Sequence, residues 1–172
     1  KIKKKNLNTL KLISIILIKK NDIKNAKIAL NKILSYDKKN LFAINSLGDL
    51  YKIEKNYTNA EIFFKKSISC DKNFVPGYFN LASLYEDKGE LKLAKKFYFK
   101  VIEVDKKNYA AYFNLQRLDD SLISDDTIKK IKDQLKIKHN LKDKNIAYGH
   151  FILAKNHRKK NEIYKEIKEL SV

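Results

Sequence analysis

The chain has 172 residues, a formal net charge of +18, 44% hydrophobic residues, and only 4 glycines and 1 proline. That length can bury one real core, and so few helix breakers favour an all-helical chain with no flexible linker. A single cysteine, Cys70, excludes an internal disulfide and the secreted disulfide scaffolds, so a cytoplasmic protein with a buried, inert thiol is expected.

The positive charge is almost all lysine, since only Arg117 and Arg158 are arginine. Sites that read nucleic acid usually cluster arginine or interleave it with aromatics. Here lysine is spread along the solvent side of every predicted helix, so no specific nucleic-acid partner is expected. Non-specific attraction to nucleic acid or an anionic membrane, weakened by salt, stays open as an alternative role. The sequence also contains no methionine, so a fragment of a longer protein is expected.

Taken in order, residues 1–6 read as a basic lead-in. Residues 7–20 carry an apolar run at 12–18, far below the roughly 18–20 residues of a membrane span, and Lys11 and Ser14 interrupt the region. No transmembrane segment is expected there; a first helix is.

Residues 41–108 hold one stretch written twice. Leu47-Gly48-x-x-Tyr51 returns as Leu81-Ala82-x-x-Tyr85, Ala60 as Ala94, Phe64 as Tyr98 and Asp71 as Asp105, each 34 residues later. One period back lies a worn copy: Ile13-Ser14-x-x-Leu17, Ala26, Leu30 and Asp37. Ile44, Leu47, Gly48 and Tyr51 make one apolar helix face, and Ala60, Phe64, Ser67 and Ile68 make the face of its partner. Gly48 and Ala60 are small where the two helices cross, and Pro76 fits the first turn of its helix. Three helix pairs therefore span 7–40, 41–74 and 75–108, and a solenoid core forms only as they stack. A fourth copy opens at 109 with Tyr112-Phe113-Asn114-Leu115. It fails by 121, where Gln116 and Asp119 stand in place of the small and aromatic residues.

The remaining segment, 122–172, reads as further helices. Ser124 or Asp125 caps a helix over 126–139, Leu141-Lys142-Asp143 turns, a helix follows over 145–159, and another starts over 162–170.

Chemistry-bearing constellations are missing: no phosphate-binding glycine loop, no nucleophile elbow, no paired-cysteine metal pattern. His150 and His157 share a helix face without an evident third ligand, so ordinary packing is expected, with no metal and no cofactor. Asp119-Asp120 and Asp125-Asp126 read as loop and cap chemistry.

The surface expected to bind is the concave side of the solenoid, lined by the first helix of each pair. Its candidates are Phe42, Asn45 and Asp49; Phe79, Asn80 and Ser83; and Phe113, Asn114 and Arg117. Asn80 and Asn114 are one period apart, and an asparagine ladder offers donor and acceptor to an extended peptide backbone. The competing reading is that asparagine at this phase belongs to the repeat itself and binds nothing.

Residues 7–108 resemble the tetratricopeptide-repeat family in these motifs. The resemblance implies an all-α, right-handed superhelix (an α-solenoid) that holds a peptide or protein partner in its concave groove. Some co-chaperones of the family clamp a terminal carboxylate with lysine and asparagine. Here only Lys11 matches that clamp, and Ile15, Ser46, Pro76 and Asn80 fill the other places. The tail carries a second resemblance, in residues 111–118, 128–135, Leu141-Lys142-Asp143 and Gly149-His150-Phe151-Ile152-Leu153-Ala154-Lys155. It is similar to the segment joining repeats to the catalytic domain in bacterial repeat–sulfotransferase fusions. That implies a covalently linked PAPS-dependent catalytic domain beyond Val172, for which this chain would be a recruiting arm, itself catalytically inert.

Overall fold

The computed structural model describes residues 2–136 and 144–159, together with 162, 165 and 168. Among these there are nine α-helices and no strand: α1 (Ile2–Lys19), α2 (Ile23–Tyr36), α3 (Leu41–Ile53), α4 (Tyr57–Cys70), α5 (Val75–Asp87), α6 (Leu91–Val104), α7 (Tyr109–Leu118), α8 (Asp125–Leu135) and α9 (Lys144–Lys159). A 3-10 turn, Asp120–Leu122, separates α7 from α8. The architecture is the all-α solenoid of helical repeats read from the 34-residue period. Its helices group into two compact units, Lys1–Ala94 and Lys95–Val172.

Local chemistry sets the repeat ends. Asp22, Asn40 and Asn56 each accept the backbone N–H three residues on, which caps α2, α3 and α4. Between repeats, the shared aspartates bind the turn they begin. Asp37 accepts from Lys39 N at 3.2 Å, Asp71 from Asn73 N at 2.8 Å and Asp105 from Lys107 N at 3.1 Å. One period before Asp37 stands Lys3, a residue type with no acceptor to hold such a turn. There α1 starts at Ile2 and runs on, so the stretch read as a basic lead-in is helical from residue 2.

Within repeats the turn is a left-handed residue at one phase: Asn21 (φ 58°), Lys55 (φ 60°) and Gly89 (φ 74°). The next N–H reaches back to Leu17, Tyr51 and Tyr85 carbonyls at 2.9, 2.9 and 2.8 Å, which closes each helix end in a Schellman-type turn.

In the first unit, Ala26, Leu30 and Ile33 of α2 form one core with Ala43, Leu47 and Leu50 of α3, and Leu7, Leu10, Leu17 and Ile18 of α1 pack onto it. Gly48 is small for a direct reason: a β-carbon there would lie 2.5 Å from Phe64 Cε1. Pro76 sits in the first turn of α5, as its fixed φ requires. Cys70 is a free thiol that ends α4; it is half-buried, not buried as expected, because it lies at the helix end beyond the Phe64–Ser67–Ile68 face.

In the second unit Tyr109, Ile128, Ile131, Ile146, Ile152 and Leu153 form the core. α7 stops at Leu118, and Asp119, at the phase of Tyr51 and Tyr85, accepts from Ser121 N and opens the 3-10 turn. Ser124, not Asp125, caps α8 through Thr127 N. α8 ends at Leu135, and residues 137–139 of the expected helix, the turn 141–143 and most of 162–170 lie outside the described residues.

Candidate functional site

The candidate groove residues fall in both units and are met separately in each. In the first unit, α3 and α5 bring Asn45, Asp49 and Asn80 into one network. Asn45 Nδ2 donates to Asp49 Oδ2 at 3.2 Å. Asn80 Nδ2 donates to Asp49 Oδ1 at 2.8 Å and to Asn45 Oδ1 at 3.2 Å. Half-burial among these groups pushes the Asp49 carboxyl up to about 6, against the pull of the Lys52 ammonium. Ser83 accepts from Lys52 Nζ at 2.7 Å, and the same ammonium pairs with Asp87 at 3.1 Å. Lys52 and Asp87 belong to this array although the sequence did not single them out; they lie off the apolar stripe, and only the α3–α5 approach joins them.

Phe42 is half-buried on the α2–α3 core, with Lys11 Nζ 4.7 Å above its ring. Beside it opens a cleft of about 390 Å³ lined by Leu7, Lys11, Asp37, Asn40 and Leu41. Phe79 is half-buried on α5.

In the second unit the equivalence of Asn80 and Asn114 ends. Asn114 Nδ2 turns back to Ala110 O at 2.9 Å, and its Oδ1 meets Arg117 Nη2 at 3.4 Å. Phe113 lies against Tyr148 and Phe151 of α9, ring centroids 5.2 and 6.2 Å away, so its ring contributes to packing. The expected ladder is therefore not a repeated one. Asn80 spends its amide across repeats, whereas Asn114 spends it within its own helix. A residue the sequence reading passed over does bridge elements here. Asn145 of α9 accepts from Ala110 N at 3.3 Å and donates to Lys107 O at 2.8 Å, tying α9 to the start of α7.

A family model of the tetratricopeptide repeat matches residues 12–40, 43–74 and 75–108, more than half of the chain. The chain belongs to the tetratricopeptide-repeat family. No curated protein matches it. Among solved structures, that of Pseudomonas aeruginosa pilF is similar with a TM-score of 0.72 at 13% identity, covering 98% of this chain and 75% of that one. A crystal structure of MamA gives 0.60 at 21% identity, covering 92% and 91%. The first repeat domain of Spaghetti (RPAP3), bound to the HSP90 peptide SRMEEVD, gives 0.61 at 20% identity, covering 70% and 95%. At these identities the likeness shows the tetratricopeptide fold.

The tail's resemblance to sulfotransferase fusions finds no support in these comparisons, and packing accounts for its short run. A β-carbon on Gly149 would lie 2.9 Å from Leu135 Cδ1, and Ile152, Leu153 and Ala154 are buried. Lys155 donates to Gln116 O at 3.0 Å and pairs with Asp120 at 3.3 Å. His157 is buried, with Nδ1 2.7 Å from Glu162. No group of three metal-ligating side chains occurs among the described residues. Nor is any of their helices long and apolar enough to cross a membrane.

Proposed function

We propose that this tetratricopeptide-repeat chain is a protein-interaction scaffold, working without a catalytic site or cofactor of its own in the cytoplasm. It takes a peptide segment of a partner along the first-helix faces of its repeats. The observation that carries the reading is the Asn45–Asp49–Asn80 network on α3 and α5. A half-buried carboxylate is costly for a purely structural face, which apolar packing would fill at less expense. The network uses the Asn80 amide nitrogen but leaves its carbonyl oxygen to accept a peptide N–H. Lys52 and Ser83 extend the polar strip, and Phe42 and Phe79 give it apolar borders.

A repeat domain of this fold is bound to a peptide in the Spaghetti (RPAP3) structure, which supports the class of ligand. The manner of binding differs, because the carboxylate clamp is missing and Lys11 stands over the Phe42 ring. An internal, extended segment fits this strip better than a chain terminus. The reading as the arm of a sulfotransferase has no observation in its favour beyond the tail resemblance.

The test is selection of peptides from a displayed library on the immobilised chain, followed by titration of one labelled peptide. Asn80→Ala and the pair Asn45→Ala, Asp49→Ala should weaken it by roughly tenfold, the loss of one or two hydrogen bonds, with helix content unchanged. Equal affinity for the folded variants removes the groove from the proposal.

A further inference from the structure

Asp49 is an acid held by amides alone. Its Oδ2 accepts from Asn45 Nδ2 at 3.2 Å and its Oδ1 from Asn80 Nδ2 at 2.8 Å. Among the described residues no lysine or arginine bonds to it. Lys52, one turn further along α3, is turned to Ser83 at 2.7 Å and to Asp87 at 3.1 Å. A carboxylate offers about four acceptor positions, so roughly one on each oxygen stays open. Asp49 is half-buried, and part of its surface meets solvent. The repeat itself does not ask for an acid here, since Ile15 and Ser83 stand at the same phase.

The charge of these two helices runs against that of the chain. α3 and α5, of 13 residues each, hold three acids, Asp49, Glu86 and Asp87, and one base, Lys52. The whole chain holds 38 basic residues against 20 acidic. At that frequency 13 residues would carry about three bases, and α5 carries none. A composition rich in lysine everywhere does not account for a face that leaves it out.

We propose that the Asn45–Asp49–Asn80 network seats an arginine side chain of the bound peptide, its guanidinium set against both oxygens of Asp49. The proposal rests on the groove reading above and names the side chain that the groove selects. A guanidinium is planar and donates two parallel N–H bonds, one for each open oxygen position, whereas an ammonium presents a single point of charge. The other charges of this face are Lys11 over the Phe42 ring and the Lys52–Asp87 pair, while α2 and α4 meet α3 on its apolar side. The net charge of +18 repels a strongly basic segment, so one arginine in an otherwise uncharged stretch is the fit.

The probe is a short blocked peptide of alanines around one central arginine, titrated into the intact, carbon-13-labelled protein and followed by NMR. Its twin carries citrulline, which has the same shape without the charge. The arginine peptide should shift the Asp49 carboxyl and the Asn45 and Asn80 side-chain amides to saturation, and bind roughly fivefold more tightly than the twin. A cation favours the charged carboxylate, so the peptide should pull the Asp49 midpoint below its free value of about 6. It should accordingly bind roughly tenfold more weakly at pH 5 than at pH 7.5. Asp49→Asn should lose both the preference for arginine and the pH dependence, with circular dichroism native. Equal binding of arginine and citrulline overturns the proposal and leaves the groove reading in place. Arginine binding that moves only signals outside α3 and α5, or that Asp49→Asn leaves unchanged, overturns it as well. Binding by neither peptide also overturns it, and the library selection then decides the groove reading separately.

Discussion

Asn80 donates its amide to Asp49 Oδ1 at 2.8 Å, from one repeat to the one before it. Asp49 also receives Asn45, so one carboxylate gathers two side-chain amides on the face shared by α3 and α5. Hydrogen bonds of this kind favour the charged form, while burial opposes it and prevails.

Asp49 therefore makes stability depend on pH in a defined direction. Its folded pKa, about 6, lies above the ordinary value of 3.8. The stability tied to its neutral form is complete below pH 3.8 and is lost as pH rises through 6. Asp49→Asn should remove that loss, so that its stability stays level as pH rises through 6. Urea midpoints measured from pH 4 to pH 7.5 check it, and parallel curves for the two proteins would refute it.

Asp119 shows the opposite shift. A hydrogen bond from Lys95, then bonds from Ser121, hold its carboxyl down to about 2. Stability linked to its charge is present above 3.8 and lost as pH falls through 2. Lys95→Ala should move the Asp119 titration upward in carboxyl NMR, and an unmoved midpoint would place the cause elsewhere.

Gly48→Ala should destabilise by about 1–3 kcal/mol, since the new methyl lies within 2.5 Å of the Phe64 ring. The first repeat pairs Ser14 with Leu30 at the same phases. Phe64→Leu in the Gly48→Ala background should accordingly cost less than the two changes added. Strict additivity in chemical denaturation would exclude ring contact as the reason for this glycine.

The left-handed turn position offers a paired test. A β-carbon on Gly89 would meet nothing within 4 Å, so Gly89→Ala should cost about 1 kcal/mol through φ alone. Lys55 holds φ 60° with a side chain, and Lys55→Gly should gain up to about 1 kcal/mol. Thermal midpoints moving in opposite directions would confirm that backbone strain, not side-chain contact, governs this phase.

Several features were legible before any coordinates. The small residues at Ser14, Gly48 and Ala82, the aspartates at 37, 71 and 105, and Pro76 at a helix start all follow from local rules. The structure adds what each aspartate does: it holds the turn it begins. The candidate binding face was legible in outline only. Asn80 and Asn114 look alike in sequence, yet one reaches Asp49 and the other its own Ala110 carbonyl. Lys52 and Asn145 carried no periodic signal, and their bonds to Ser83 and to Lys107 cross 31 and 38 residues.

By itself the sequence determined the repeat length, the helix pairing and the family, because caps, turns and apolar stripes are settled by residues within one or two turns of each other. Tertiary structure decided which polar groups meet, which asparagine is spent on its own helix, and which apolar face stays open. Those outcomes depend on how neighbouring helices approach. On α1 the stripe of Thr9, Ile13 and Ile16 keeps the phase of the faces that α3 and α5 bury, yet Ile13 and Ile16 are 43% and 53% exposed.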